Sequence, residues 1–163
     1  MMSCDTEAET RAIRYSASEI TPEYCKIAKE KYPEIEFLNR DLLFEEVKES
    51  YDYVVLSGVF HQQGQISQRD WEGYRNALLL KAWSLCTRGV AFNLLSNYTD
   101  FYRPGNYYPE MYEVLGFVTR KMSRFVSMDQ TTPLFEATYC VYKKEYVSSC
   151  YESDILKRYL END

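Results

Sequence analysis

Ser18–Leu43 reads SEITPEYCKIAKEKYPEIEFLNRDLL, and this stretch decides the fold. Thr21 can cap a helix, Pro22 suits its first position, and Glu23 favours the positive N-terminal end. Tyr24, Ile27, Ala28 and Tyr32 follow at helical spacing and predict one buried face. Pro33 ends the helix. Glu34–Leu38 (EIEFL) then alternates with period two and reads as a strand. Arg11–Ser18 (RAIRYSAS) alternates as well, so a strand–helix–strand unit is expected.

Working outward, Leu42–Glu49 is expected to hold a short helix. Tyr51–Ser57 (YDYVVLS) is an apolar run rich in β-formers, with the profile of a strand buried on both faces. Ser67–Cys86 reads as a long helix. Its stripe is Trp71, Tyr74, Ala77, Leu78, Lys81, Ala82 and Leu85, which only Lys81 interrupts. Thr87-Arg88-Gly89 is expected to close it, with Gly89 as a left-handed cap. Val90–Leu95 is the next strand and Asn97–Tyr108 a loop. Pro109–Leu115 is a short helix stopped by Gly116. Val118–Met128 and Pro133–Lys144 form a hairpin, and Glu152–Leu160 a last amphipathic helix. Strands alternating with helices predict a parallel sheet covered on both faces, with the closing hairpin adding one antiparallel strand.

The 163 residues suit a single domain, 1–163. Within it, residues 1–10 are expected to be disordered and 145–163 to form a C-terminal helical extension. No run of about 18 apolar residues exists, and Met1–Thr10 lacks the apolar core of a signal peptide, so a cytoplasmic location is expected. The net charge of −6 does not favour nucleic acid. Arg120, Lys121 and Arg124 could form a local basic patch or simply a solvated strand face. Five scattered cysteines with no C-x-x-C pair, and one histidine, give no metal-site spacing. The 16 tyrosines suit cores, pockets and interfaces alike.

Open parallel sheets bind ligands at the carboxyl ends of their strands. Glu19 ends the first strand; its carboxylate can accept from ribose hydroxyls or merely favour the helix dipole. Asp41 follows the second strand; it can accept from an exocyclic amine, beside an apolar Leu42 or Leu43, or cap the next turn. Gly58 after the third strand permits close backbone approach. His61, the only histidine, can serve as a general base near neutral pH or be purely structural. Beyond the fourth strand, Asn93, Ser96, Asn97, Tyr98, Phe101 and Tyr102 interleave polar groups with aromatics, as an acceptor pocket or a packed loop would.

The stretch quoted first, then YDYVVLSGVFHQ (Tyr51–Gln62), the long helix, RGVAFNLLSNY (Arg88–Tyr98) and TTPLFEATYCVYKK (Thr131–Lys144) together resemble class I S-adenosylmethionine-dependent methyltransferases. The resemblance runs from about Arg14 to Lys144. It implies an α/β fold with a Rossmann-like sheet, mostly parallel with a C-terminal antiparallel hairpin. It also implies S-adenosylmethionine as cofactor. Glu19 and its neighbour Ile20 match the ribose-holding position, Asp41 and Leu42 the adenine position, and Ser57 and Gly58 the strand end facing methionine and acceptor. His61 falls in the neighbouring loop as a candidate catalytic base.

Two features depart from the family pattern. The first strand, glycine-rich loop and helix are missing: Glu19 has 18 residues before it, none of them glycine. The missing strand would lie between Arg11–Ser18 and Tyr51–Ser57, so two strand edges are left to close on each other, to pair with another chain or to aggregate. The tetrapeptide of amino-directed family members, Asn or Asp followed by Pro-Pro-aromatic, is also absent, with Ser57–Phe60 (SGVF) in its place. The expected function is methyl transfer to a small molecule or a protein, impaired in this chain alone. The alternative is a non-catalytic methyltransferase-like fragment or partner subunit. A second copy or a partner chain would cover the exposed sheet edges.

Overall fold

The computed structural model describes residues 13–151, 153 and 157–160. The expectation for residues 1–10, the start of the Arg11–Ser18 strand and most of the Glu152–Leu160 helix lie outside them. The chain divides into two compact units, Met1–Lys48 and Glu49–Asp163.

In the first unit, β1 (Ser16–Glu19) pairs in parallel with β2 (Glu36–Asn39), with Ser16 opposite Glu36 and Glu19 opposite Asn39. Helix α1 (Pro22–Lys31) makes the crossover. Pro22 opens it, but the Thr21 side chain makes no capping bond; the Thr21 amide donates instead to Glu19 Oε1 (2.7 Å). Lys29 and Lys31 sit in its last turn, where cations favour the dipole. The expected buried face is not realised. Cys25 is buried, whereas Tyr24, Ile27 and Tyr32 stand exposed. Two short strands give this helix too little sheet to cover it. Past β2 no helix forms over Leu42–Glu49, only a turn at Leu42–Phe44.

The second unit carries β3 (Tyr51–Leu56), α2 (Gln68–Leu85), β4 (Cys86–Leu95), α3 (Met111–Lys121), β5 (Val126–Asp129), β6 (Glu136–Tyr142) and α4 (Lys144–Ser149). The strand order is β3-β4-β6-β5. β3 and β4 are parallel, and β6 is antiparallel to both β4 and β5, so only β6 runs against the rest. Val90 faces Val141, Phe92 faces Tyr139 and Leu94 faces Ala137 across β4 and β6, and all six are buried. The Phe92 and Tyr139 rings stack at 5.0 Å, and Phe60 meets Phe92 edge to face. Each such side chain contributes about 1.5–3 kcal/mol on burial.

Several expectations are corrected here. β3 is an edge strand of its sheet among the described residues. Its sequence suggests burial on both faces, yet Tyr53 is 44% and Val55 63% exposed. The buried face of α2 is Arg75, Leu78, Leu79, Ala82 and Leu85, turned away from Tyr74. α2 runs straight into β4, so Gly89 is a strand residue and not a helix cap. A β-carbon there would lie 2.7 Å from the Val141 carbonyl oxygen, so close strand approach requires glycine. α3 continues through Gly116 to Lys121 because Val114 and Val118, one helical turn apart, are both fully buried. Arg120 and Lys121 therefore occupy the last turn of a helix, not a strand face.

Candidate functional site

In the first unit, parallel pairing places Glu19 and Asp41 at the carboxyl ends of adjacent strands. Asn39 Nδ2 donates to the carbonyls of Glu19 (2.8 Å) and Ile20 (3.1 Å), and the Arg40 amide donates to the Glu19 carbonyl (3.2 Å). These bonds fix the two strand ends side by side. Asp41 Oδ1 accepts from the amides of Leu43 (2.9 Å) and Phe44 (3.3 Å), and the Asp41 amide donates to Glu45 Oε1 (2.8 Å). Asp41 thus caps the turn, and Glu19 holds the entry to α1. Each uses one carboxylate oxygen for this. Glu19 Oε2 and Asp41 Oδ2 take no hydrogen bond among the described residues. Ile20 is exposed, and Leu42 is half-buried.

In the second unit, β3 ends at Leu56, and Ser57 and Gly58 follow as exposed residues. Gly58 has φ +72°, and nothing lies within 4 Å of where its β-carbon would be. Its amide donates to Asn93 Oδ1 (2.7 Å), and Asn93 Nδ2 donates to Glu136 Oε2 (2.6 Å). Asn93, in mid-β4, is therefore what holds the turn after β3. Its position between the buried Phe92 and Leu94 on an alternating strand marks it as facing the other side.

The segment beyond Gly58 is tied to the loop after β4. The Trp71 indole donates to the Phe60 carbonyl (3.2 Å), the Tyr107 amide to the His61 carbonyl (2.9 Å), and the Gln63 and Gly64 amides to the Gly105 carbonyl (2.8 and 2.9 Å). His61 is half-buried, and its Nε2 is enclosed without a partner among the described residues. In the loop after β4, Ser96 is fully buried and receives bonds from the Tyr98 amide (3.1 Å) and Gln130 Nε2 (2.8 Å). Asn97 Nδ2 donates to Glu110 Oε2 (2.8 Å), while Asn97 Oδ1 is buried with no donor among the described residues.

One cluster escapes a reading of the sequence. Arg75 is buried on α2 and donates to the Tyr107 hydroxyl (2.5 Å) and to Asn76 Oδ1. The Tyr107 hydroxyl in turn donates to Glu72 Oε1 (3.4 Å). Burial pushes the Tyr107 pKa above the ordinary tyrosine range, more than the Arg75 charge pulls it down. An arginine flanked by leucines and alanines does show a break in an apolar face, but its partner lies 32 residues away.

In each unit taken by itself, the candidate residues lie at or just beyond the carboxyl ends of parallel strands, where such sheets receive ligands. Solved structures share the fold. Magnesium protoporphyrin IX methyltransferase (ChlM) from Synechocystis PCC 6803, with bound SAM, superposes with a TM-score of 0.55 at 14% identity over 78% of this chain and 58% of its own. N-methyltransferase NodS from Bradyrhizobium japonicum WM9, in complex with S-adenosyl-L-homocysteine, gives 0.57 at 13% over 80% and 66%. An S-adenosylmethionine-dependent methyltransferase from Clostridium acetobutylicum ATCC 824 gives 0.53 at 8% over 78% and 74%. The fold is that of the class I methyltransferases. The chain spans less than two thirds of the ChlM and NodS chains. No protein-family model and no curated protein matches the sequence. Against this class I methyltransferase fold, the described residues show no helix long and apolar enough to cross a membrane.

Proposed function

We propose that this chain is part of an S-adenosylmethionine-dependent methyltransferase, incomplete and impaired when alone. The observation that carries the reading is the pair of carboxylates at adjacent parallel strand ends, Glu19 and Asp41, each with one oxygen uncommitted, within a class I methyltransferase fold. Those oxygens fit hydroxyl and amine donors of a nucleoside. Glu19, flanked by Ile20, would hold ribose hydroxyls. Asp41 would hold the adenine amine and Leu42 the ring face. By the family resemblance alone, Ser57 and Gly58 are the counterparts of the strand end that meets the methionine portion, and Gly58 leaves its backbone open. The cofactor supplies an electrophilic methyl group on a sulfonium. The protein's part is to position the acceptor, exclude water and take up the acceptor's proton where there is one. His61 Nε2, enclosed and without a partner among the described residues, is the candidate base.

A second reading is a non-catalytic methyltransferase-like partner subunit. It is favoured by the exposed Tyr53 and Val55 on edge strand β3. Another chain, a second copy or a complete subunit, would then cover that edge. Photocrosslinking of methyl-labelled S-adenosylmethionine separates the two. The enzyme reading expects labelling that S-adenosylhomocysteine competes away and ATP does not. A folded, monodisperse sample that takes no label would turn the assignment to the partner role.

A further inference from the structure

We infer that the loop after β4, with the turn between β5 and β6, seats a planar aromatic acceptor bearing a hydroxyl or amino group. The inference rests on the methyltransferase reading and names the substrate class of that site. In this loop Tyr98 is 73%, Phe101 50% and Tyr102 63% exposed. Their exposure does not come from a loose chain, because each is anchored. Phe101 packs edge to face on Phe135 at 5.7 Å, and Tyr102 does so on Tyr108 at 4.8 Å. The Tyr102 hydroxyl donates to the Asn97 carbonyl (2.7 Å). The Tyr98 amide is held by the buried Ser96 hydroxyl. The Ser96 amide donates to the Phe135 carbonyl (2.8 Å), which brings the β5–β6 turn, with exposed Leu134, beside the loop. Exposed aromatic rings anchored on one short loop offer apolar surface that a ligand would cover. Rings meet other rings with an added gain from offset or edge-on contact, which selects a flat aromatic partner over an aliphatic one.

The polar requirement comes from Asn97. Its amide nitrogen is committed to Glu110, which fixes the side chain so that Oδ1 is the atom left over. That oxygen is buried and accepts from nothing among the described residues. A buried acceptor without a donor is costly, and a ligand O–H or N–H that displaces what covers this oxygen would relieve it. The one arginine in the loop, Arg103, lies over the Phe101 ring, so the surface has no cluster of cations to select a phosphate or polycarboxylate.

The test is a titration of the full chain with 2-naphthol, 2-methoxynaphthalene and cyclohexanol, followed by calorimetry and ligand-observed NMR. 2-Naphthol is expected to bind at about 1 mM or tighter. 2-Methoxynaphthalene, which has no donor proton, is expected to bind about three- to tenfold more weakly, and that difference to vanish in Asn97→Ala. Phe101→Ala should weaken 2-naphthol about three- to tenfold. Tyr98→Ser, at the most exposed ring, repeats the test without touching a packed residue. Cyclohexanol binding as well as 2-naphthol would overturn the inference. So would absence of 2-naphthol binding, or a dimer that these ring substitutions dissolve. S-adenosylhomocysteine titrated into the same sample keeps the two claims apart. If it binds and 2-naphthol does not, the substrate class is wrong and the methyltransferase reading stands. If 2-naphthol binds alone, the aromatic seat stands without that reading.

Discussion

Two glycine-to-alanine substitutions should move stability in opposite directions. At Gly89 a β-carbon would sit 2.7 Å from the Val141 carbonyl oxygen and 3.4 Å from the Tyr142 ring. The close contact is with backbone in the middle of the β4–β6 ladder, between the Gly89–Tyr142 and Val90–Val141 pairs. Relief requires the strands to part, and Val90 and Val141 are both buried. Overpacking of this kind costs about 1–3 kcal/mol, offset by about 0.5–1 kcal/mol from a stiffer unfolded chain, for a net loss of about 1–2 kcal/mol. With a urea dependence of roughly 2 kcal/mol per molar, the midpoint should fall by about 0.5–1 M. Gly73 lies inside α2, exposed, with nothing within 4 Å of its β-carbon position. Alanine there should add about 0.5–1 kcal/mol and raise the midpoint. Trp71 and Trp83 both lie on α2 and report unfolding by fluorescence. An unchanged or raised midpoint for Gly89→Ala would refute the close β4–β6 packing, and a lowered one for Gly73→Ala would refute its open helical site.

Other substitutions probe the buried network. Tyr107→Phe strands a donor of buried Arg75 and should cost about 1–3 kcal/mol; in an Arg75→Met background the same change should cost far less, a coupling that a urea double-mutant cycle measures. Burial raises the pKa of Tyr107 and takes that of Tyr139 up to about 12. Because the folded values lie above the unfolded value of about 10, their stabilisation is intact below about pH 10 and is lost as pH rises toward the folded values. Stability measured at about pH 9 and pH 11 should therefore fall, and fall less in Tyr139→Phe. Asp41→Ala removes the acceptor for the Leu43 and Phe44 amides and should raise amide exchange at both, seen by hydrogen exchange, while β3–β6 stay protected.

The alternation of strands and helices was legible because period-two and helical spacing report local geometry, which Pro22, Pro33 and Ser67 punctuate. Which face each element buries was not, because that depends on what stands opposite. The stripe of α2 includes both Tyr74 and Leu78 by spacing, and the sheet selects the side holding Arg75. Gly116 is a stop signal by propensity, yet the roughly 1 kcal/mol cost of a helical glycine is outweighed by burying Val114 and Val118. Gly89 after Thr87-Arg88 imitates a helix cap; only the approach of Val141 from a strand more than 40 residues on explains it. Of the candidate residues, Glu19 ends a strand and Asp41 and Gly58 lie just past others, and spacing locates those strand ends. The bond from Gly58 to Asn93, the link of His61 to Tyr107 and the unpartnered Asn97 Oδ1 join distant segments, and no local pattern encodes them.

The central claim is that these strand ends take up an adenosyl ligand. Calorimetric titration of the chain with S-adenosylhomocysteine tests it most directly. The account predicts saturable binding that Glu19→Ala and Asp41→Ala each weaken about tenfold or more, consistent with loss of a charge-assisted hydrogen bond. Binding that both substitutions leave unchanged, or no binding by a folded and monodisperse sample, would contradict it.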